Sequence, residues 1–406
     1  MKISKIYVSN FKSLVDFEIE LADFNCLIGL NGAGKSTFLQ FVSFLSQLMR
    51  GDLDGWLSRR TWKASDICTA CFKQAVDDKN VAKPNGSNKP QKFRITFLDN
   101  SGNEGYWESE FNIGNKRCFN EKFSIAGSCF QTRYNKESQK RFYRVSNAVG
   151  GKNVRKNINF QYDGSIFSRL DDKEVPDVFY QFRQYILNVE SMDQLAPQYL
   201  RNRARASFGS IGQSGEHLSA LLSEFDEDNR RAINMQLQKV YPHLRSFDVK
   251  GLRSGWKQLE VKEHYGQWQM TTESRHVNDG MLRLLAILSQ LQTNYRFLLF
   301  DEIENGINPE LIGFLLATLI GSSRQVVTTT HSPMILNYLD DETATAGVHL
   351  IYKTSEGCSQ CVRFLSIPSM AEKLEVMGPG EVFIDTNLVA LSEEIEGELM
   401  EKREDR

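Results

Sequence analysis

The segment Gly29-Leu30-Asn31-Gly32-Ala33-Gly34-Lys35-Ser36 limits this chain more than any other stretch, because it fits the pattern G-x-x-x-x-G-K-[ST]. Its setting predicts the local structure. Phe24 to Ile28 read as a short apolar strand. After the turn, Phe38, Phe41, Val42, Leu45, Leu48 and Met49 recur at the 3.6-residue period of a helix with one buried face. The glycines let the backbone wrap so that N–H groups converge on anionic oxygens, at a helix N-terminus that favours negative charge. Asn31, Gly32, Ala33, Gly34, Lys35, Ser36 and Thr37 are therefore candidate nucleotide-binding residues. Lys35 is placed to reach the β- and γ-phosphates, and the Ser36 hydroxyl to ligate Mg²⁺. A glycine-rich loop that binds nothing is the alternative, and the strand before it and helix after it argue against that.

A second motif narrows the chemistry. In "RFLLFDEIENGINPE", Phe297 to Phe300 form an apolar strand ending in Asp301-Glu302, at the strand end where parallel α/β sheets bind ligands. Asp301 is a candidate for holding the metal's water shell. Glu302 is a candidate to polarise a water for in-line attack on a γ-phosphate. Asn308-Pro309-Glu310 predicts a capped helix start, with Gly321 closing that helix. The next strand ends in "TTTHSP" and carries His331 to the same kind of edge, as a candidate γ-phosphate sensor.

Three lobes are expected: 1–165, with the glycine-rich loop and a β-meander; 166–290, mainly helical; and 291–406, with the acidic strand, His331 and an acidic C-terminal helix. The meander is read from alternation, as in Phe93, Ile95 and Phe97, with a turn at Asp99 to Gly102 and more strand around 121–134 and 140–146. Residues 77–92, almost devoid of apolar side chains, read as a flexible surface insertion. "SGEHLSALLSEF" and "NRRAINMQLQKVY" are the clearest helices of the second lobe. That lobe ends in "VNDGMLRLLAILSQL", where Asn278-Asp279-Gly280 precedes an apolar stripe of Met281, Leu284, Leu285, Leu288 and Leu291.

Composition excludes several classes. The formal net charge of −2 provides no chain-wide basic field, so any nucleic-acid contact must come from a local patch. Candidates are Arg50/Arg59/Arg60, Lys152/Arg155/Lys156, and Arg201, Arg203 and Arg205 of "RNRARAS". No stretch of 18 apolar residues occurs, and the N-terminus carries no secretion signal, so a cytoplasmic protein without a membrane span is expected. Seven cysteines argue against a disulfide framework. Cys68/Cys71 and Cys358/Cys361 have C-x-x-C spacing, but they stand far apart and lack the turns of a zinc knuckle.

Lys35 and Asp301 lie much further apart than in a compact kinase-like or GTPase-like P-loop domain. The order is P-loop, β lobe, helical lobe, polar turn with helix, Asp-Glu strand, histidine strand. With "GLNGAGKST", "VNDGMLRLLAI", "FLLFDEIENGINP" and "TTTHSP", it resembles the ATPase heads of the ABC-type superfamily, in the branch holding SMC, RecF and OLD-family proteins. Within that branch it is most similar to stand-alone bacterial AAA-family predicted ATPases, many encoded beside a nuclease or TOPRIM-like partner in antiphage defence. The resemblance implies an α/β fold of ABC-ATPase type, with the β-meander and helical lobes inserted between Walker A (the P-loop) and Walker B (the Asp-Glu strand). It implies ATP and Mg²⁺ as cofactors, and a homodimer or higher oligomer that sandwiches ATP. Asn278, Asp279 and Gly280 would then act in trans as the signature. "VSNFKSL" resembles the family's N-F-[KR]-S segment and so implies a place near the nucleotide for Lys12.

Some residues depart from the pattern. Asn278 stands where the signature usually has serine, and Asn308-Pro309 where the acidic loop often ends in His-Pro. The absence of heptads excludes an SMC rod. The stretch after His331 is too short for the TOPRIM domain of OLD proteins, so a nuclease or other effector is expected as a separate chain. Three functions follow from different premises: an ATPase switch in antiphage defence, a RecF-like repair ATPase that binds DNA itself, and a nucleotide-gated scaffold with little turnover. A transporter subunit fits worst, since its signature would carry glutamine and no such β insertion would be present.

Overall fold

The computed structural model describes residues 1–69, 89–135, 140–146, 153–193 and 195–404. Its chain divides into two compact units, 1–189 with 345–372 and 385–406, and 190–344 with 373–384.

The first unit is built on an antiparallel sheet. Strand Lys2–Ser9 pairs with Phe17–Glu20 on one side and Gln91–Leu98 on the other. Glu104–Asn112, Arg117–Ile125, Ser128–Asn135, Lys140–Ser146 and Val154–Asn157 then add in chain order. The predicted alternation is present: along Gln91–Leu98, Phe93, Ile95 and Phe97 are buried while Lys92 and Arg94 face outward. The insertion expected at 77–92 ends earlier than expected. Gln91 and Lys92 begin this strand, because the side chain of Gln91 is buried and donates to the Ile67 carbonyl at 2.7 Å. Residues 77–88 lie outside the described residues.

Helix Lys35–Arg50 places all six expected apolar residues in the core. Aromatic rings join it to the sheet, with Phe44 edge-on to Phe111 at 5.2 Å and Phe41 6.3 Å from Phe93. Helix Asp177–Leu187 adds Phe182, 4.4 Å from Phe97, and Phe179, 4.2 Å from Phe123. Such pairs add about 0.5–1.5 kcal/mol each beyond the area they bury. This aromatic layer holds the glycine-rich turn's helix to a rigid surface.

Strand Phe24–Ile28 pairs in parallel with Val348–Lys353, which pairs antiparallel with Ser359–Arg363. His349 is buried in that strand, 3.4 Å from Asn25 Oδ1. Burial, aided by the Arg363 charge, pushes its pKa down from 6.5 to about 3. A histidine depressed on folding leaves stability intact above its unfolded pKa, and stability drains as pH falls toward the folded value. The thermal midpoint should therefore decline as pH falls from 6.5 toward about 3. His349→Gln, which can still bond Asn25, should flatten that decline. An unchanged slope in the variant would assign the loss to another group.

The second unit holds strands Phe297–Phe300 and Gln325–Thr329, parallel and in register Phe300↔Thr328, joined by helix Pro309–Ile320. Asn308 occupies the expected cap position but makes no side-chain cap bond, so Pro309 starts the helix through its fixed φ. Gly321 does follow the helix, yet at φ −71°, without the left-handed turn that favours glycine. Helices Leu218–Glu224 and Glu227–Gln238 match the expected ones. The lobe expected to be mainly helical also contains a three-stranded antiparallel sheet, Leu244–Gly251, Lys257–Tyr265 and Trp268–Glu273. Helix Asp279–Gln290 buries Met281, Leu284, Leu285 and Leu288, while Leu291 lies beyond its end and is half-buried.

Candidate functional site

In the first unit, strand Phe24–Ile28 delivers the chain into the glycine-rich turn, and two glycines there are obligatory. Gly29 has φ +139°, and a Cβ on it would meet the Ile351 carbonyl oxygen at 2.1 Å. Gly34 has φ +118°, and a Cβ would meet Ser359 Oγ at 2.3 Å. Ser359 Oγ closes this side by donating to the Ala33 carbonyl at 2.6 Å and accepting from Ser13 Oγ at 2.8 Å. The turn therefore lies tight against its own sheet and presents backbone on the other side. Lys35 is 6 % exposed, its ammonium donating to the Gly29 and Leu30 carbonyls at 2.8 and 3.1 Å. Gly34, the N-cap of helix Lys35–Arg50, has no side chain to cap it, and the helix's first turn carries no acid. Those are the electrostatic conditions for an anion. Asn31 and Gly32 are exposed at the rim, Ala33 and Gly34 are buried, and Ser36 and Thr37 are half-buried on the helix's first turn.

Lys12 is placed less directly. Its backbone is left-handed, φ +49°. Its ammonium donates to Gln40 Oε1 at 2.9 Å and lies 3.4 Å from the centre of the Trp62 ring. Gln40 is on the second turn of the helix that Lys35 begins.

In the second unit, Asp301 and Glu302 leave strand Phe297–Phe300 and are fastened at once. Asp301 N–H donates to the Met192 carbonyl at 3.1 Å. One hydroxyl serves both acids: Thr329 Oγ1 donates to Asp301 Oδ1 at 2.6 Å and accepts from Glu302 N–H at 2.8 Å. Glu302 has φ +50°, a strained conformation for a residue with a side chain, and strain of this kind persists where surrounding bonds impose it. Asn305 Nδ2 donates to Glu302 Oε2 at 3.1 Å, so the carboxylate is oriented as well. Glu304 Oε1 accepts from Thr330 Oγ1 at 2.8 Å and His331 N–H at 3.0 Å, fixing the turn that carries His331, which is exposed. The acidic turn and the histidine turn are thus held together by Thr329, Thr330 and Glu304.

Asn278 is the N-cap of helix Asp279–Gln290, accepting from Met281 N–H at 2.8 Å. Asp279, half exposed, is paired with Arg201, whose guanidinium also donates to the Val277 carbonyl at 2.9 Å. Gly280 is buried, and the nearest atom to a Cβ there would be the Gly306 carbonyl oxygen at 3.5 Å.

Thr329, Glu304 and Asn305 lie inside motifs noted in the sequence, yet no role was assigned to them there, and Arg201 was named only as part of a basic patch. Burial pushes the Cys361 thiol well up, away from thiolate, and Cys71 lies outside the described residues. No group of three metal-ligating His, Cys, Asp or Glu side chains occurs among the described residues.

No curated protein matches the chain. Among solved structures, an SMC head bound to the C-terminal winged-helix domain of ScpA is similar over 89 % of this chain and 97 % of that one, at 15 % identity and TM-score 0.52. At that identity the likeness is one of fold. An SMC head domain derived from Pyrococcus furiosus matches at 12 % identity over 92 % of this chain and 99 % of its own, with TM-score 0.49. The fold is α/β and matches SMC ATPase heads, with an antiparallel sheet in a P-loop NTPase framework. A family model described as "AAA domain, putative AbiEii toxin, Type IV TA system" matches residues 24–337, which span the P-loop turn, the capped helix, the acidic strand end and His331, and the chain belongs to that family.

Proposed function

We propose that this protein is an Mg²⁺-dependent ATP hydrolase working as a switch, two copies closing head to head around ATP. The observation that carries the reading is the phosphate cradle. Gly29 and Gly34 hold the backbone against the sheet, the N-cap Gly34 puts no side chain over the helix N-terminus, and Lys35 is held among carbonyls. Asn31 to Thr37 would surround the phosphates, with Lys12 nearby. Lys35 is not lost to its carbonyl partners, because an ammonium has three donors and can share them with phosphate. Ser36 and Asp301 offer the hydroxyl and carboxylate oxygens a hard cation such as Mg²⁺ prefers, and the ion would neutralise phosphate charge.

Glu302, oriented by Asn305, is the general base for the attacking water, and His331 contacts the γ-phosphate. In trans, the Asn278 amide and the Gly280 N–H meet the partner's γ-phosphate at a helix N-terminus, with Arg201 neutralising the intervening Asp279. ATP closes the pair only by binding the closed state more tightly than the open one. We further propose a place in bacterial antiphage defence, with the switch gating a separate nuclease or effector; the family description names a toxin of a type IV TA system.

Gly280→Arg tests the arrangement. A small side chain would fit at Gly280, where the nearest atom lies at 3.5 Å, but an arginine cannot stay within that space and must project from the turn. The variant should bind ATP normally as a monomer, lose ATP-dependent dimerisation in light scattering, and hydrolyse at least about 100-fold more slowly. Loss of ATP binding as well would mark the turn as structural only.

A further inference from the structure

The second unit contains a groove of about 1000 Å³ that the hydrolysis reading leaves unused, walled by the segment from Arg201 to Phe208 with Trp256 and Arg275. We propose that it binds a single-stranded nucleic acid, with phosphates on Arg203, Arg205 and Arg275 and bases stacked on Trp256 and Phe208.

Charge comes first. Four arginines face the groove against Glu216 and Glu273, and both acids are engaged: Glu273 pairs with Arg275 Nε at 3.0 Å, and Glu216 accepts from Ser214 N–H at 3.0 Å. Arg203 and Arg205 are exposed and form no ion pair among the described residues. Arg205 instead lies over the Trp256 ring at 4.6 Å, and the ring remains 38 % exposed.

The aromatic groups decide the class of ligand. Phe208 is 88 % exposed and sits in left-handed backbone at φ +52°, so it contributes neither core burial nor backbone comfort. Its turn is nonetheless built. Ser207 Oγ accepts from Gly209 N–H at 2.9 Å and donates to Glu224 Oε2 at 2.6 Å, holding the ring outward. Arginines interleaved with exposed rings suit unpaired bases, whose faces stack, whereas a duplex hides those faces. An acidic polypeptide would use the arginines and leave both rings idle.

Arg201 gives the groove a consequence. The guanidinium lining it also holds the Val277 carbonyl and Asp279, at the start of the helix Asp279–Gln290. A strand in the groove therefore bears on the turn that the switch reading assigns to the partner's ATP. This consequence rests on that reading; binding itself does not.

The test uses the full chain and a fluorescein-labelled oligodeoxythymidine of about 20 nucleotides, followed by anisotropy without nucleotide. Three arginines on a single strand give a log–log salt slope of about −2, or roughly 20-fold weaker binding from about 50 to about 200 mM salt. The double variant Arg203→Ala/Arg205→Ala should flatten the slope by about 1.4, and Trp256→Ala should weaken binding about 10-fold. Both arginines are exposed, so the double variant should melt like the parent protein. Equal affinity for a duplex of the same length, full displacement by an equal concentration of poly-glutamate, or binding indifferent to all these substitutions would each overturn the proposal. Because nucleotide is absent, failure of the hydrolysis reading would not disturb this measurement. Conversely, oligonucleotide binding with no change in ATP turnover would remove only the link through Arg201.

Discussion

Glu302→Gln protein is expected to bind ATP, hydrolyse it about 100- to 10,000-fold more slowly than the parent, and accumulate as a nucleotide-bound dimer. The substitution isolates charge. Glu302 is held through its backbone N–H on Thr329 Oγ1 and through Oε2 on Asn305 Nδ2, and a glutamine oxygen can still accept from Asn305. Its positive φ is a property of the turn and is unchanged by an isosteric side chain. Stability should stay within about 0.5 kcal/mol of the parent, as for surface changes that leave packing intact. What disappears is a carboxylate able to take a proton from water. The measurements are phosphate release and light scattering with ATP. Full activity would remove Glu302 from its proposed role, and slow hydrolysis with no dimer would remove the switch.

Lys35→Ala has the second large effect, and it acts earlier. The buried ammonium is the strongest fixed positive charge of the cradle, and alanine leaves the Gly29 and Leu30 carbonyls without it. Charge-assisted bonds are worth about 1.5–3 kcal/mol each, so losing one or two to phosphate should weaken ATP binding by at least about 10- to 100-fold. Hydrolysis should fall by a further factor of about 100 or more, because the lysine's interaction grows with transition-state charge. Lys35→Arg should not rescue, since a planar guanidinium cannot take the ammonium's place between two carbonyls in a site only 6 % exposed. Calorimetric titration with ATP reads the first effect. Unaltered affinity would sink the assignment of the loop as the phosphate site.

The pair also separates the functional classes. A nucleotide-gated scaffold would lose function with Lys35→Ala but keep it with Glu302→Gln. A turning-over switch should lose function in both.

The glycine-rich turn was legible because its chemistry is local. Strand, turn and helix follow one another, and the positive φ of Gly29 and Gly34 is the reason glycine stands there. Strand Gln91–Leu98 and helix Lys35–Arg50 were legible because each buries one face, which writes a period of two or of 3.6 into the sequence. The sheet Leu244–Glu273 was not. Its last strand, Trp268–Glu273, buries none of its six residues, so no alternation marks it. The first strand's place was equally hidden, since Lys2–Ser9 pairs with Gln91–Leu98 across the whole P-loop helix.

By itself, then, the sequence determined the local elements: a glycine-rich turn ahead of a helix, an acidic strand end and a helix with a polar head, each encoded within a dozen residues. Only the tertiary structure decided how those groups are held. Thr329 comes to Asp301 and Glu302 because two parallel strands pair in the register Phe300↔Thr328, and Arg201 reaches Asp279 across a long separation in the chain. Periodicity reports which face of an element is buried. It does not report which distant residue the fold will bring to that element's end.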